Sequence, residues 1–493
     1  MIQGTMSGAG KSLLVTALCR IFAQDGWRVA PFKSQNMALN SYVTRDGLEM
    51  GRAQAAQAEA AGWDCDVRMN PILLKPSSDM GSQLIVNGRV RGEYRAAEYF
   101  RMKKSLIPEI LDAYHSLAAE NDILVIEGAG SPAEINLRED DIVNMGLAEL
   151  VNAPVLLAGD IDRGGVFAQL YGTVALLRPE ERRRVAGLII NKFRGDAALL
   201  QPGLDQIQTL TGIPVLGVVP WLKVDIDDED SLSPRLSVRR QGLLDIAVIR
   251  LPHISNFTDF APLEEHPALG LRYVDRPEKL GEPDLVILPG TKATMEDLRW
   301  LRQTGLEAAI RERSGRETAV LGVCGGYQML GSSLRDPEGA EGGGALAGMG
   351  LLPGETVFSR EKTRTRRNAR IEQGPFAGAK LTGYEIHMGR TERGGAAPFC
   401  RVEGGESDGA MRGAVFGTYL HGLFDTGDLV DHLARWLAGR RGIRLEPVKL
   451  ENRAAYRQRQ YDLLADAVRQ SLDMEAIYRV MEAYAHDGTP TAQ

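Results

Sequence analysis

The sequence predicts an α/β protein of two doubly wound domains in series. Three observations predict it. Short, mostly continuous apolar runs, of the kind that form strands buried on both faces of a parallel sheet, alternate with helical patterns in two separate series. Each series carries a glycine-rich turn between a strand and a helix, "GTMSGAGKS" at 4–12 and "GVCGG" at 322–326. Glycine is abundant, 55 of 493 residues, as repeated strand–turn–helix units require.

The first series fills residues 1–230. Its strands are "WRVAPF" (27–32), "DILVIEG" (122–128), "APVLLAGD" (153–160), "VAGLIIN" (185–191) and "IPVLGVVP" (213–220). A helix over 11–26, "KSLLVTALCRIFAQDG", ends at a glycine where a helix C-terminus wants one. Only "MIQ" precedes the first turn, so the opening strand is unusually short, as if the chain's start were displaced or trimmed. Acidic, proline and basic residues in "WLKVDIDDEDSLSPRLSVRRQG" mark a surface linker, placed at 231–243. The second series, 244–445, has strands at "LDIAVIRLP" (244–252), "PDLVILPG" (283–290), "TAVLGVCG" (318–325) and "GAVFGTYLHG" (413–422). Residues 446–493 read as a helical close.

Composition excludes several classes. A net charge of −7 argues against nucleic acid, which selects basic surfaces. No apolar run reaches membrane-spanning length, and the N-terminus lacks a charged region followed by an apolar one, so no membrane partner and a cytoplasmic location are expected. The four cysteines form no CxxC pair, which argues against a zinc site and a disulfide framework. Oligomeric state is not legible.

The first turn is a phosphate-binding loop with one extra residue. Gly4, Thr5, Gly8 and Gly10 build a nest of main-chain N–H groups facing a helix N-terminus, Lys11 reaches the terminal phosphates of ATP, and Ser12 ligates Mg²⁺. Glu127, ending the strand "LVIEG", is a second Mg²⁺ ligand or a cap for the next segment. Asn191 in "NKFRGD" reads the adenine edge or is an ordinary loop asparagine.

The second turn places Cys324 at a nucleophile elbow, where the following helix favours its thiolate. His421 in "GTYLHGLF" supplies a base, and the N–H groups of Gly325 and Gly290 supply an oxyanion hole. With Gln328, "GVCGGYQ" resembles the G-x-C-x-G-x-Q motif of class I glutamine amidotransferases, which release ammonia from L-glutamine through a cysteinyl thioester. The expected fold is therefore an N-terminal P-loop domain and a C-terminal class I amidotransferase domain. The resemblance implies an H-x-E pair, but this chain has His421-Gly422-Leu423, so the group orienting the histidine is not named by the motif.

One ATP site and one glutaminase site in one chain make an amide: a carboxylate is activated as an acyl phosphate and ammonia attacks it. Over nearly its full length the sequence is similar to the cobyric acid synthase family, through "QGTMSGAGKS", "PFKSQNMALNS", "GRAQAAQAEAAG", "MNPILLKP", "GAGSPAEINL", "DIVNMG", "DIDRGGVFA", "NKFRGD", "GYEIHMG" and "GTYLHGLFD". The resemblance implies a dethiobiotin-synthetase-like ATPase domain and amidation of the b, d, e and g carboxylates of adenosylcobyrinic acid a,c-diamide, in cobalamin biosynthesis. A corrinoid polycarboxylate needs positive charge, for which Lys33, Arg45, Arg52, Lys75 and Arg163 are candidates. Asp141 and Asp162 bind Mg²⁺ or orient the incoming carboxylate, unless Asp141 merely caps a helix. The basic run "REKTRTRRNAR" (360–370) is a solvated loop or a polyanion contact. Rival readings are cobyrinic acid a,c-diamide synthase, the amidase–ligase pair acting on lipid II, and a non-enzymatic P-loop regulatory module with an inactive amidotransferase fold. Intact Cys324, Gln328 and His421 speak against the last.

Overall fold

The computed structural model describes residues 1–78, 81–226, 236, 241–314 and 318–487. The expected linker at 231–243 lies outside the described residues except at 236 and 241–243.

In the N-terminal half a parallel sheet runs in the order Val29–Phe32, Ile123–Ile126, Ile2–Gly4, Val155–Asp160, Val185–Phe193, Val215–Pro220, with the second and third strands joined by a bridge between Ile2 and Glu127. Strands from the early chain lie on one side of Ile2–Gly4 and later ones on the other. Such a reversal opens a crevice at the carboxyl ends of the strands, where ligands of open α/β sheets bind. The first strand has three residues, all buried. The helix Lys11–Gln24 turns Leu14, Val15, Leu18 and Phe22 into the core and stops before Gly26, whose φ of 92° reverses the chain. A smaller sheet of Gln35–Met37, Ile72–Ser78, Gly81–Val86 and Arg89–Arg95 covers one end of this half; no periodicity in the sequence foretold it.

The C-terminal half has a sheet in the order Leu269–Val274, Leu244–Ile249, Leu285–Leu288, Ala319–Val323, Val415–Thr418, Ala410–Arg412, parallel except for the last strand. Beside it stands a second sheet built on the hairpin Glu355–Arg370 and Lys380–Glu392. The basic run 360–370 lies in the first arm of that hairpin, so it is a strand and not a solvated loop. Strand alternation sends Lys362, Arg364 and Arg366 toward the N-terminal half. Lys362 Nζ lies 2.6 Å from Glu49 Oε2, Arg364 Nη1 donates to the Gly88 carbonyl at 2.6 Å, and the Arg366 guanidinium lies 5.3 Å from the Tyr42 ring centroid. Lys75 holds the other oxygen of Glu49 at 2.9 Å. Burial opposes ionisation of Glu49, but Lys362 and Lys75 outweigh it and hold the carboxyl well below its ordinary range.

The closing helices Arg453–Ser471 and Met474–Asp487 return to the N-terminal half. Leu464, Ala465, Val468, Leu472 and Ile477 share one core with Leu14, Val15, Leu18 and Phe22. At about 1.5–3 kcal/mol for each large apolar side chain buried, this docking is integral to that half. Among the described residues no helix is long and apolar enough to cross a membrane.

Candidate active site

The phosphate loop links the strand Ile2–Gly4 to the helix Lys11–Gln24. Gly8 and Gly10 are left-handed, and a Cβ on Gly10 would stand 2.1 Å from the Asn191 amide nitrogen, so conformation and space both demand glycine there. Lys11 folds back over the loop, donating from Nζ to the carbonyls of Met6 (3.2 Å) and Gly130 (2.9 Å). Ser12 Oγ donates to Glu127 Oε1 at 2.9 Å. Glu127 is buried at the carboxyl end of its strand and also receives Lys33 Nζ, at 2.8 Å, and Gln57 Nε2. A hydroxyl beside a carboxylate at a phosphate loop fits Mg²⁺, which takes one or two protein oxygens and completes its shell with phosphate and water. Among the described residues no cluster of three or more His, Cys, Asp or Glu offers an all-protein metal cage.

Other predicted members of this site are held by protein contacts of their own. Gly4 pairs with Ala158 in the sheet, and Thr5 spends its N–H on the Ala158 carbonyl (2.9 Å) and its hydroxyl on Gln169 (3.1 Å), so both anchor the loop. Asn191 lies beneath the loop, donating from Nδ2 to the Ala9 carbonyl and accepting from the Lys192 N–H, both at 2.9 Å. Both ends of its amide thus touch main chain, and it braces the loop from below. Beside it Leu13, Trp221 and Leu464 line a small apolar cleft. Asp162 pairs with Arg194 at 2.9 Å, whose guanidinium lies 3.8 Å from the Trp221 ring centroid. Asp141 accepts from the N–H groups of Val143, Asn144 and Gly146 at the start of the helix Met145–Leu150, as a helix-capping carboxylate would.

A cavity of about 390 Å³ opens next to Gly130, the residue that holds Lys11. Met37, Tyr99, Phe100 and Leu137 give it apolar walls, and Lys103 and Arg138 reach it as cations. The cations nominated from sequence lie elsewhere. Lys33 is buried on Glu127, Arg45 pairs with Asp64 on the surface, Arg52 packs on Tyr42, Lys75 is held by Glu49 and Ser41, and Arg163 lies by Gly8 and Asp160.

In the C-terminal half Cys324 stands between the strand Ala319–Val323 and the helix Gly325–Leu330 with φ 52° and ψ −109°, a conformation that few non-glycine residues adopt. Its Sγ faces His421, whose ring bonds it and is bonded in turn by Asp259: His421 Nδ1 to Asp259 Oδ2 is 2.6 Å. The other Asp259 oxygen takes the Gly422 N–H at 3.0 Å. Burial of His421 disfavours its cation, but Asp259 and Cys324 outweigh that and push its pKa up to about 10. Tyr384 stacks on the His421 ring, centroids 5.4 Å apart. Gly290 passes so close that a Cβ there would lie 2.8 Å from His421 Cε1. Gln328 is fixed by Thr294 Oγ1 (3.0 Å) and Tyr419 Oη (3.3 Å) at the wall of the same pocket, which Lys292 and Glu341 also line.

Residues 1–232 match the family described as the CobQ/CobB/MinD/ParA nucleotide binding domain, and residues 245–429 match the CobB/CobQ-like glutamine amidotransferase domain. The cobyric acid synthase of Ruminiclostridium cellulolyticum is 56% identical over 502 residues, covering 99% of this chain and 98% of its own. Those of Lachnoclostridium phytofermentans and Photorhabdus laumondii are 54% and 51% identical, covering 98% and 99% of this chain and 98% and 99% of their own. The chain belongs to the cobyric acid synthase family. As a member it is an ATP-dependent, glutamine-hydrolysing amide ligase of cobalamin biosynthesis. Two features of this cobyric acid synthase family member escaped the sequence reading. Asp259 stands where the H-x-E template offers nothing, and no motif surrounds it. Tyr384 lies within "GYEIHMG", a stretch that carried the resemblance without a stated role.

Proposed function

We propose that the crevice at the phosphate loop activates carboxylates of a corrinoid polycarboxylate with ATP, and that the Cys324 pocket feeds it ammonia from L-glutamine. The b, d, e and g carboxylates of adenosylcobyrinic acid a,c-diamide are the proposed acceptors. The division into an ATP-using domain over 1–230 and a glutaminase domain over 244–445 belongs to the same reading. The observation that supports it most is the pairing in one chain of a phosphate loop on Glu127 with a Cys324–His421–Asp259 chain of buried groups.

Asp259 accepts from Nδ1 of His421 and leaves Nε2 for Cys324. The imidazole holds the thiol proton, so the sulfur attacks the glutamine carboxamide carbon as a thiolate. The oxyanion is received by the N–H groups of Gly325 and Gly290. His421 returns the proton to the leaving nitrogen, ammonia departs, and water cleaves the thioester to glutamate. Gln328 shapes the pocket wall. At the other site Gly8, Gly10 and Lys11 receive the phosphates, and the cleft at Leu13 and Trp221 takes the base. Mg²⁺, when bound by Ser12 and Glu127, supplies charge neutralisation across the phosphates. Lys33 holds Glu127 in place from behind, at 2.8 Å. The cavity at Gly130 presents an acceptor carboxylate to the γ-phosphate, with Lys103 and Arg138 facing the remaining carboxylates.

The test is full-chain protein with adenosylcobyrinic acid a,c-diamide, ATP and Mg²⁺, supplied with either glutamine or ammonium, and mass spectrometry of the corrinoid. Cys324→Ser should abolish glutamine-driven amidation and keep the ammonium-driven reaction, while Lys11→Ala should lose both. Nucleotide cleavage with no carboxamide formed, even in ammonium, would overturn the reading.

A further inference from the structure

The glutaminase pair does not stand on its own half of the molecule. The turn at Asn40–Ser41, which belongs to the N-terminal half, reaches across and holds both sides of His421. Asn256 N–H donates to Asn40 Oδ1 at 2.7 Å, and Ser41 N–H donates to Asn256 Oδ1 at 3.0 Å, a reciprocal pair between the halves. Asn256 is left-handed at φ 52° and caps the short 3₁₀ turn Phe257–Phe260, within which Asp259 N–H donates to the Asn256 carbonyl at 3.0 Å. That turn delivers Asp259 to Nδ1 of His421. On the other side, Tyr384 Oη donates to the Ser41 carbonyl at 3.2 Å, and the Tyr384 ring stacks on His421. The main chains of Tyr384 and His421 also exchange hydrogen bonds at 3.1 and 2.9 Å. Next to Asn256, Ser255 N–H donates to the Gly290 carbonyl at 2.9 Å, so the same anchor reaches the strand end that passes His421. Asn40, Ser41, Asn256, Asp259, Tyr384 and His421 are all buried.

A left-handed asparagine costs about 1–3 kcal/mol and persists only where its surroundings over-determine it. Here the surroundings that fix it are two hydrogen bonds from the other half. We infer that Asn40 and Ser41 are positioning residues for glutamine hydrolysis: by fixing Asn256 and Tyr384, they set the orientation in which Asp259 presents His421 to Cys324. The inference rests on the assignment of Cys324 and His421 as the glutaminase pair. It adds that the nucleotide-binding half is part of the glutaminase site's frame, so that the pocket reaches working geometry only when the halves are seated.

The test uses the full chain and three variants: Asn40→Ala, Asn40→Asp and Cys324→Ser. Asn40→Ala should lower kcat for glutamine hydrolysis by about 10–100-fold, the scale of a small misplacement of a reacting group. KM for glutamine should stay within about threefold, and ammonium-driven amidation within about twofold, because neither uses the Asn40 contact. The alkaline limb of the glutamine pH profile should move to lower pH, a change that a merely structural lesion would not produce. Asn40→Asp keeps an acceptor oxygen for the Asn256 N–H and should recover most of the rate. Unchanged glutamine turnover in Asn40→Ala would overturn the inference, as would equal loss of the glutamine and ammonium reactions. If Cys324→Ser still hydrolyses glutamine, the nucleophile assignment itself fails, which is a separate result from failure at Asn40.

Discussion

The turn at 4–12 and the turn at Cys324 both join a parallel strand to a helix, and they distribute backbone strain in opposite ways. In the first, the left-handed positions are Gly8 and Gly10, while Lys11 and Ser12 sit in regular helix. In the second, the left-handed residue is Cys324 itself. A turn that offers its main chain to phosphate can be made of glycine at no steric cost. A turn that must push one side chain into a pocket has to strain that residue, at a cost of about 1–3 kcal/mol met by the strands around it. The carboxylates behind the two turns differ as well. Glu127 sits on the neighbouring strand and takes its donors from Ser12, Lys33 and Gln57. Asp259 arrives from a separate turn, 162 residues before His421.

The most severe way to break the contrast is at Asp259. Asp259→Asn should lower the glutamine-dependent rate about 10³–10⁴-fold through the wrong imidazole tautomer, with the ammonium-dependent rate unchanged, as read by paired amidation assays. Next is Gly10→Ala, which forces a side chain into φ 92° and against Asn191. Amidation from either nitrogen source should fall about 100-fold, with the glutaminase pocket intact, measured with the same assays. Asn191→Ala spares the loop sequence but removes the bond to Ala9. A loss of about 1–1.5 kcal/mol, near tenfold in ATP affinity, should appear in nucleotide titration.

The mildest probe is pH. The His421 pKa is about 10 in the folded chain, against an unfolded value near 6.5. Its proton therefore favours the folded state fully below about pH 6.5, and that contribution is lost as pH rises through about 10. His421 should stay protonated across neutral pH, and the glutamine reaction should decline only on the approach to pH 10. In Asp259→Asn the decline should begin at lower pH, because a charge that holds the proton is gone; a pH–rate profile of both proteins decides it.

Much of this was readable from residues. The parallel strands were legible because burial on both faces leaves continuous apolar runs such as "APVLLAGD" and "TAVLGVCG". The two turns were legible because glycine spacing and a following helix are local facts. The sheet Gln35–Met37 to Arg89–Arg95 was not, since Gln35–Met37 has only three residues and Arg89–Arg95 is polar and mostly exposed, without a continuous apolar run. The run at 360–370 misled for a related reason. Basic residues at every second position read as solvated, and only Glu49, Gly88 and Tyr42, more than 250 residues away, give Lys362, Arg364 and Arg366 their partners. Asp259 is the sharpest case: its role is set by where Asn256 and the His421 strand meet in space, and nothing in "NFTDF" announces it.

The return of the last two helices to the first half has a bearing on how the molecule is made. On the ribosome, Leu14, Leu18 and Phe22 emerge more than 400 residues before Leu464, Val468 and Leu472, which complete their core. The nucleotide-binding half is thus completed only after the second half has been made, and a message cut short after residue 446 would release it with an open apolar seam.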